Sequence, residues 1–198
     1  CSSDLGIACS TWATSAAERF STSLSSKQRM VESIAIELAQ RSSYLGSRDV
    51  GSIYFGGGTP SMLSLKELQH LMDAISGHYA WPAVAEITLE ANPGAIEQQR
   101  FADYRQLGIN RLSLGIQSFN PEHLRALGRI HDDQQAHHAI ESARKAGFTN
   151  LNLDIMHSLP KQSITQSIED LRTALSHQPE HLSWYQLTLE PNTLFYKQ

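Results

Sequence analysis

Three consecutive glycines, Gly56-Gly57-Gly58, run into Thr59-Pro60 directly after the β-type segment Ser52-Ile53-Tyr54-Phe55. Glycine reaches positive φ and lets a ligand approach backbone N–H groups closely. A tight strand-to-helix turn needs fewer glycines, because each one costs backbone entropy. Ligand contact is therefore the favoured reading. No Gly-Lys-Ser/Thr follows, so this is not a Walker loop, and the spacing is not the dinucleotide pattern G-x-G-x-x-G. Polar groups also close four later β-type segments. Glu90 stands in Glu90-Ala91-Asn92-Pro93-Gly94, and Gln117 in Gly115-Ile116-Gln117-Ser118-Phe119-Asn120. Asp154 lies in Asn152-Leu153-Asp154-Ile155, and Thr188 in Gln186-Leu187-Thr188-Leu189-Glu190-Pro191. Any one of these alone is a capping or solvated residue. Together, at the ends of parallel strands where ligands bind, they make a polar ligand site. Arg129 joins them if its loop folds back over that rim, and is otherwise a surface ion-pair partner.

Other chemistries fare worse. His157 has no second histidine or carboxylate at ligand spacing, and the adjacent His137-His138 point to different helix faces. A histidine metal site is disfavoured. Ser113 and Ser118 lack the G-x-S-x-G elbow of a hydrolase nucleophile.

The elements that must position these residues repeat. The segment Ser52–Phe55 is followed by Glu86-Ile87-Thr88-Leu89-Glu90, Arg111-Leu112-Ser113-Leu114-Gly115, Leu151–Ile155 and His181-Leu182-Ser183-Trp184-Tyr185, with helical patterns between them. This is the spacing of βα units with crossover helices. Ser64 with Glu67, Asp132 with Gln135, and Ser163 with Gln166 read as helix openings of the capping-box kind. Asn120-Pro121 places a cap before a first-turn proline. Gly108 and Gly147 stand where helix ends take the left-handed conformation. An earlier helix is expected from about Lys27 to Tyr44, with Met30, Ile34 and Leu38 on one face. The fold class is α/β, a parallel sheet that is either open or a partial barrel.

Composition narrows the function classes. The chain has 198 residues, 40% of them apolar, 16 Lys+Arg and 20 Asp+Glu. No basic run tracks a phosphate backbone, so nucleic acid is not an expected partner. No apolar stretch reaches the ~18 residues of a membrane span. The two cysteines, Cys1 and Cys9, cannot build a disulfide framework, and a reducing cytoplasm is the expectation. Residues 1–22 are rich in Ser, Ala and Thr without a period, and the chain opens on Cys. This stretch is expected to be foreign to the domain of residues 23–198.

The motifs have a family likeness. Ile53-Tyr-Phe-Gly-Gly-Gly-Thr-Pro-Ser61, Glu86-Ile-Thr-Leu-Glu-Ala-Asn-Pro-Gly94 and Asn110-Arg-Leu-Ser-Leu-Gly-Ile-Gln-Ser-Phe119 resemble one radical SAM subfamily. Leu124–His131 and His181–Thr193 continue the match, so that it covers about residues 27–198. The subfamily is that of the oxygen-independent coproporphyrinogen III oxidase-like proteins, within them the heme chaperone branch. The resemblance implies a partial (β/α)6 TIM-like barrel whose rim binds S-adenosylmethionine. By the same likeness Gly57, Gly58 and Thr59 would hold the methionyl part, Glu90, Gln117, Arg129 and Asp154 would meet polar groups, and Thr188 would approach the adenine through its backbone. An arginine suits a carboxylate, and acidic side chains suit ribose hydroxyls or an amino group.

One departure stands out. The subfamily carries C-x-x-x-C-x-x-C after its first strand, three thiolates for a [4Fe–4S] cluster. Cys9 lies about where the first would be, but four and seven residues on are Ala13 and Ala16. An aromatic first strand is missing too, so the first strand is expected to be degraded or absent. A wrong junction upstream of about residue 22 would explain both, as would a cluster-free relative. The usual Leu-Pro-Gly-Gln is Leu159-Pro160-Lys161-Gln162, and the family's C-terminal domain is expected to be absent. Three functions follow from the likeness: a heme chaperone that hands heme to acceptor proteins, an oxidase acting on a porphyrinogen, or an inactive barrel that binds S-adenosylmethionine or a partner. Whether the chain is an enzyme is left open by the sequence.

Overall fold

A computed structural model describes residues 3–8, 25–45, 49–129, 131–188 and 191. Six strands with one or two helices between successive strands run through them: β1 (Ser3–Ala8), α1 (Ser26–Leu45), β2 (Val50–Gly56), α2 (Leu65–Ser76), β3 (Glu86–Ala91), α3 (Ala95–Gln99), α4 (Phe101–Gln106), β4 (Arg111–Gln117), α5 (Pro121–Ala126), α6 (Asp133–Lys145), β5 (Leu151–His157), α7 (Ile164–Ser176) and β6 (His181–Gln186). The strands form one sheet in the order β1-β2-β3-β4-β5-β6, every neighbouring pair parallel. This is a partial barrel of α/β type, as expected. The first strand is degraded in sequence but not in pairing. The first strand is neither missing nor unpaired, since Asp4–Ala8 runs in register with Ser52–Gly56. Its sequence, Ser-Asp-Leu-Gly-Ile-Ala, lacks an aromatic residue, and parallel backbone pairing does not need one.

Strand alternation separates the two faces of the sheet. Ile53, Phe55, Leu89, Leu112, Leu114, Leu151, Leu153 and Ile155 are buried under the helices. Their sequence neighbours, among them Tyr54, Glu90, Ser113, Asn152 and Asp154, lie on the other face. The helices follow from their patterns. In α2 the buried residues Leu68, Leu71, Met72 and Ile75 recur at helical spacing, and in α6 Ala136, Ala139, Ile140 and Ala143 do so. Reciprocal capping boxes open α2, α6 and α7 at Ser64/Glu67, Asp132/Gln135 and Ser163/Gln166. Asn120 caps α5 before Pro121. Met30, Ile34 and Leu38 of α1 pack on the core, and Gly108 and Gly147 hold φ of 91° and 90° after α4 and α6.

A single irregularity shapes the C-terminal edge. Leu114 pairs with Leu153, but Gln117 pairs with Ile155, so β4 carries one extra residue there. The Ser118 N–H donates back to the Ile116 carbonyl at 2.9 Å, and Gln117 between them has φ 69°. Such a γ-type turn on a non-glycine residue is strained and persists only where its surroundings hold it.

Candidate functional site

The C-terminal ends of β2 to β6 converge on one polar cluster. The Glu90 carboxylate, at the end of β3, accepts the Tyr54 hydroxyl at 2.7 Å through Oε1 and the Gly57 N–H at 3.1 Å through Oε2. The glycine run is needed for this approach. Gly57 and Gly58 have φ of 77° and 40°, and a Cβ on Gly56 would collide with the Tyr54 ring and stand 2.9 Å from Glu90 Oε1. Thr59 then begins the short 3-10 turn Pro60–Met62, its carbonyl accepting the Met62 N–H at 3.0 Å. Behind that turn, Arg100 donates to the Ser61 and Leu63 carbonyls, and the Tyr104 hydroxyl to that of Ser61 at 3.1 Å. Burial raises the Tyr104 phenol to about 12, which keeps it a donor.

Asp154 sits across the cluster on β5. Ser113 Oγ donates to its Oδ2 at 2.9 Å, and Asn152 Nδ2 to its Oδ1 at 2.9 Å. Asn152 in turn accepts Ser183 Oγ at 3.0 Å, so three strands share the network. Burial pushes the Asp154 pKa above the ordinary carboxylate range, while these hydrogen bonds and others pull it down in part. Gln117, only 4% exposed, receives the Tyr185 hydroxyl on Oε1 at 2.7 Å. Its Nε2 lies over Gly115, where an added Cβ would stand 3.1 Å away. The Tyr185 phenol is raised first by burial and then by the charge of Asp154, lowered by Gln117 and Arg129, and raised again by Glu90. Glu90, Gln117 and Asp154 are each engaged by a hydroxyl from another strand, while Arg129 is exposed beyond α5. Tyr54, raised by burial and by Glu90, also feels Asp154. Thr188 is exposed two residues beyond β6 and, among the described residues, shares no hydrogen bond with this network, while Cys9 lies outside the described residues. His157 faces Trp184, with ring centroids 5.0 Å apart, and among the described residues no three metal-ligating side chains come together.

Sequence reasoning missed Tyr54, Asn152, Ser183 and Tyr185 as partners of the rim groups. The signal was available in β4, where Arg111, Ser113, Gly115 and Gln117 alternate with Leu112, Leu114 and Ile116. That period of two puts one polar row on the face away from the helices.

The profile of the radical SAM superfamily matches residues 9–174. The chain belongs to that family. Within it the chain is HemW-like: it is 48% identical over 165 residues to the heme chaperone HemW of Escherichia coli and 43% identical over 166 residues to that of Haemophilus influenzae. These alignments take in 83% and 84% of this chain but 44% and 43% of those proteins, so the chain spans less than half the length of the curated relatives it matches. Among solved structures, the radical SAM enzyme coproporphyrinogen III oxidase (HemN) of E. coli superimposes with a TM-score of 0.76 at 30% identity, covering 83% of this chain and 38% of that one.

Radical SAM proteins imply S-adenosylmethionine and a [4Fe–4S] cluster. The polar cluster fits the first. It offers two carboxylates, an amide and a glycine loop, donors and acceptors of the kind a nucleoside with an amino-acid end requires. The second does not fit the residues present. Three thiolates are required, and the 198 residues contain two cysteines, with alanine at 13 and 16.

Proposed function

We propose that the C-terminal rim of this partial barrel binds S-adenosylmethionine and that the chain is the barrel portion of a heme chaperone. Gly57, Gly58 and Thr59 receive the methionyl end, Arg129 its carboxylate, Glu90 and Asp154 amino or ribose hydroxyl groups, Gln117 a further polar edge, and the backbone at Thr188 the adenine. When bound, S-adenosylmethionine supplies an adenosyl group on a sulfonium centre. The chain's own residues bind and orient: Tyr54 fixes Glu90, Tyr185 fixes Gln117, and Ser113 with Asn152 fixes Asp154. The observation that carries the reading is that Glu90, Gln117 and Asp154, on three successive strands, are each held by a hydroxyl from another strand, with the glycine loop tied to Glu90 through the Gly57 N–H.

The HemW relatives favour heme as the cargo; heme-acceptor proteins as partners and a cytoplasmic setting are part of the same proposal. A second reading is an oxygen-independent coproporphyrinogen III oxidase, favoured by the HemN likeness. With two cysteines the chain's own residues do not complete a cluster, which weighs against the oxidase and favours a binding role. Calorimetric titration with S-adenosylmethionine tests the site: Asp154→Ala and Arg129→Ala should each weaken binding by about tenfold, the scale of a lost charge-assisted contact. Unchanged binding in both overturns it. A heme titration followed by absorbance tests the cargo, and a flat titration removes the chaperone reading.

A further inference from the structure

Asp170, on α7, is 3% exposed and lies outside the polar cluster. Its carboxylate collects donors from two separate loops. From the β4–α5 loop, Ser118 Oγ donates to Oδ2 at 2.6 Å and the Phe119 N–H to Oδ1 at 2.7 Å. From the β5–α7 loop, Gln162 Nε2 donates to Oδ2 at 3.3 Å, while its own Oε1 accepts the Leu159 N–H at 3.2 Å. All three groups are donors, and an ionised carboxylate, which only accepts, satisfies them together.

Both loops need holding. The first follows directly on Gln117, the last residue of β4, at φ 69°, and the second contains Ser158 and Lys161 at φ 60° and 61°. None of the three is glycine, and non-glycine residues in this region persist only where contacts over-determine them. Phe119 is fixed on its other side by ring contacts with His137 and His177, at centroid distances of 4.9 and 5.9 Å. We propose that Asp170 is a positioning residue that ties the β4–α5 and β5–α7 loops into one unit and so holds Gln117 at the rim. The link from that unit to S-adenosylmethionine rests on the function proposed above. The clamp itself does not.

Amide hydrogen exchange and S-adenosylmethionine titration on the 198-residue chain test both parts. In Asp170→Asn the amide group cannot accept from all three donors. Protection should fall about tenfold or more at Phe119 and across 158–162, the scale of one lost hydrogen bond to a charged group, with α2 unchanged. In Gln162→Ala, which leaves Ser118 and Phe119 untouched, Phe119 should still lose protection, because the loops are coupled. Affinity for S-adenosylmethionine should drop about tenfold in Asp170→Asn, again the scale of one such bond. Asp154→Ala should lose affinity with normal exchange in both loops. Unchanged Phe119 protection in Gln162→Ala, or a loss in Asp170→Asn shared evenly with α2, overturns the clamp. If Asp170→Asn does not fold, Gln162→Ala decides alone. If the wild type or Asp154→Ala shows that the rim does not bind S-adenosylmethionine, the function proposed above fails while the exchange result still decides the clamp. Normal nucleoside affinity in a folded Asp170→Asn, with Asp154→Ala impaired, removes the role at the rim.

Discussion

The Tyr185 hydroxyl donates to Gln117 Oε1 at 2.7 Å, joining β6 to the irregular end of β4 across 68 residues of chain. β5 lies between the two strands, so the bond spans the mouth of the sheet rather than running along it. It fixes which way the Gln117 amide presents its remaining donor. Tyr185→Phe keeps the ring and removes that restraint. Nucleoside affinity in this variant should fall about fivefold, with a stability loss within the ~0.5–1.5 kcal/mol of one hydrogen bond. Calorimetry and thermal unfolding measure the two quantities separately.

Gly56 is confined by what lies over it. An alanine there would press its methyl group into the Tyr54 ring and against Glu90. Gly56→Ala should destabilise the protein by about 1–3 kcal/mol, the usual range for overpacking. Removing the obstacle in Gly56→Ala/Tyr54→Ala should recover part of that loss. Equal stability of single and double variants in denaturant titration would show that the methyl group meets something else.

Asp154 links the site to pH. Burial raises its pKa in the folded chain, whereas the unfolded chain titrates near the ordinary ~3.9. Between those two values the folded state holds the extra proton, so stability falls as pH rises through the window and is recovered below it. Affinity runs the other way, because the carboxylate is the form that accepts from hydroxyl or amino groups. Binding of S-adenosylmethionine should therefore weaken as pH falls through the raised value. Asp154→Asn should remove both dependences, as titrations from about pH 4 to 8 would report.

Arg100 carries a purely structural prediction. It donates to the Ser61 and Leu63 carbonyls and covers the Tyr104 ring at 5.1 Å. Arg100→Ala should cost about 1–3 kcal/mol, lowering Tm by roughly 2–10 °C in a chain of this size. Lysine, without the planar fork, should restore less than half. A Tm unchanged from wild type would mean the turn after the glycines holds itself.

Much of the frame could be read in advance because it is written locally. Ser64 and Glu67 specify a helix start within one turn, and the strand segments from Ser52 to Tyr185 announce themselves by period and spacing. Glu90, Gln117 and Asp154 can be nominated from sequence because parallel folds gather ligands at strand ends. What escaped depends on register between distant segments. Nothing near Tyr185 points to Gln117, and nothing near Asp170 points to Ser118, 52 residues earlier. The strand Ser3–Ala8 escaped for a related reason: its partner supplies the order that its own composition does not signal. The extra residue in β4 is equally silent, since Gln117 carries no glycine to betray its φ.

The strand order has a bearing on biogenesis. Each strand from β2 on pairs with the one made immediately before it, so no segment waits for a distant partner still to be synthesised. Pairing of this kind keeps loop closures short and contact order low for a parallel sheet. A chain leaving the ribosome can add one βα unit at a time onto a growing edge. In such an assembly line the newest strand is always the exposed one. Among the described residues the latest such addition is β6, paired along its whole length to β5.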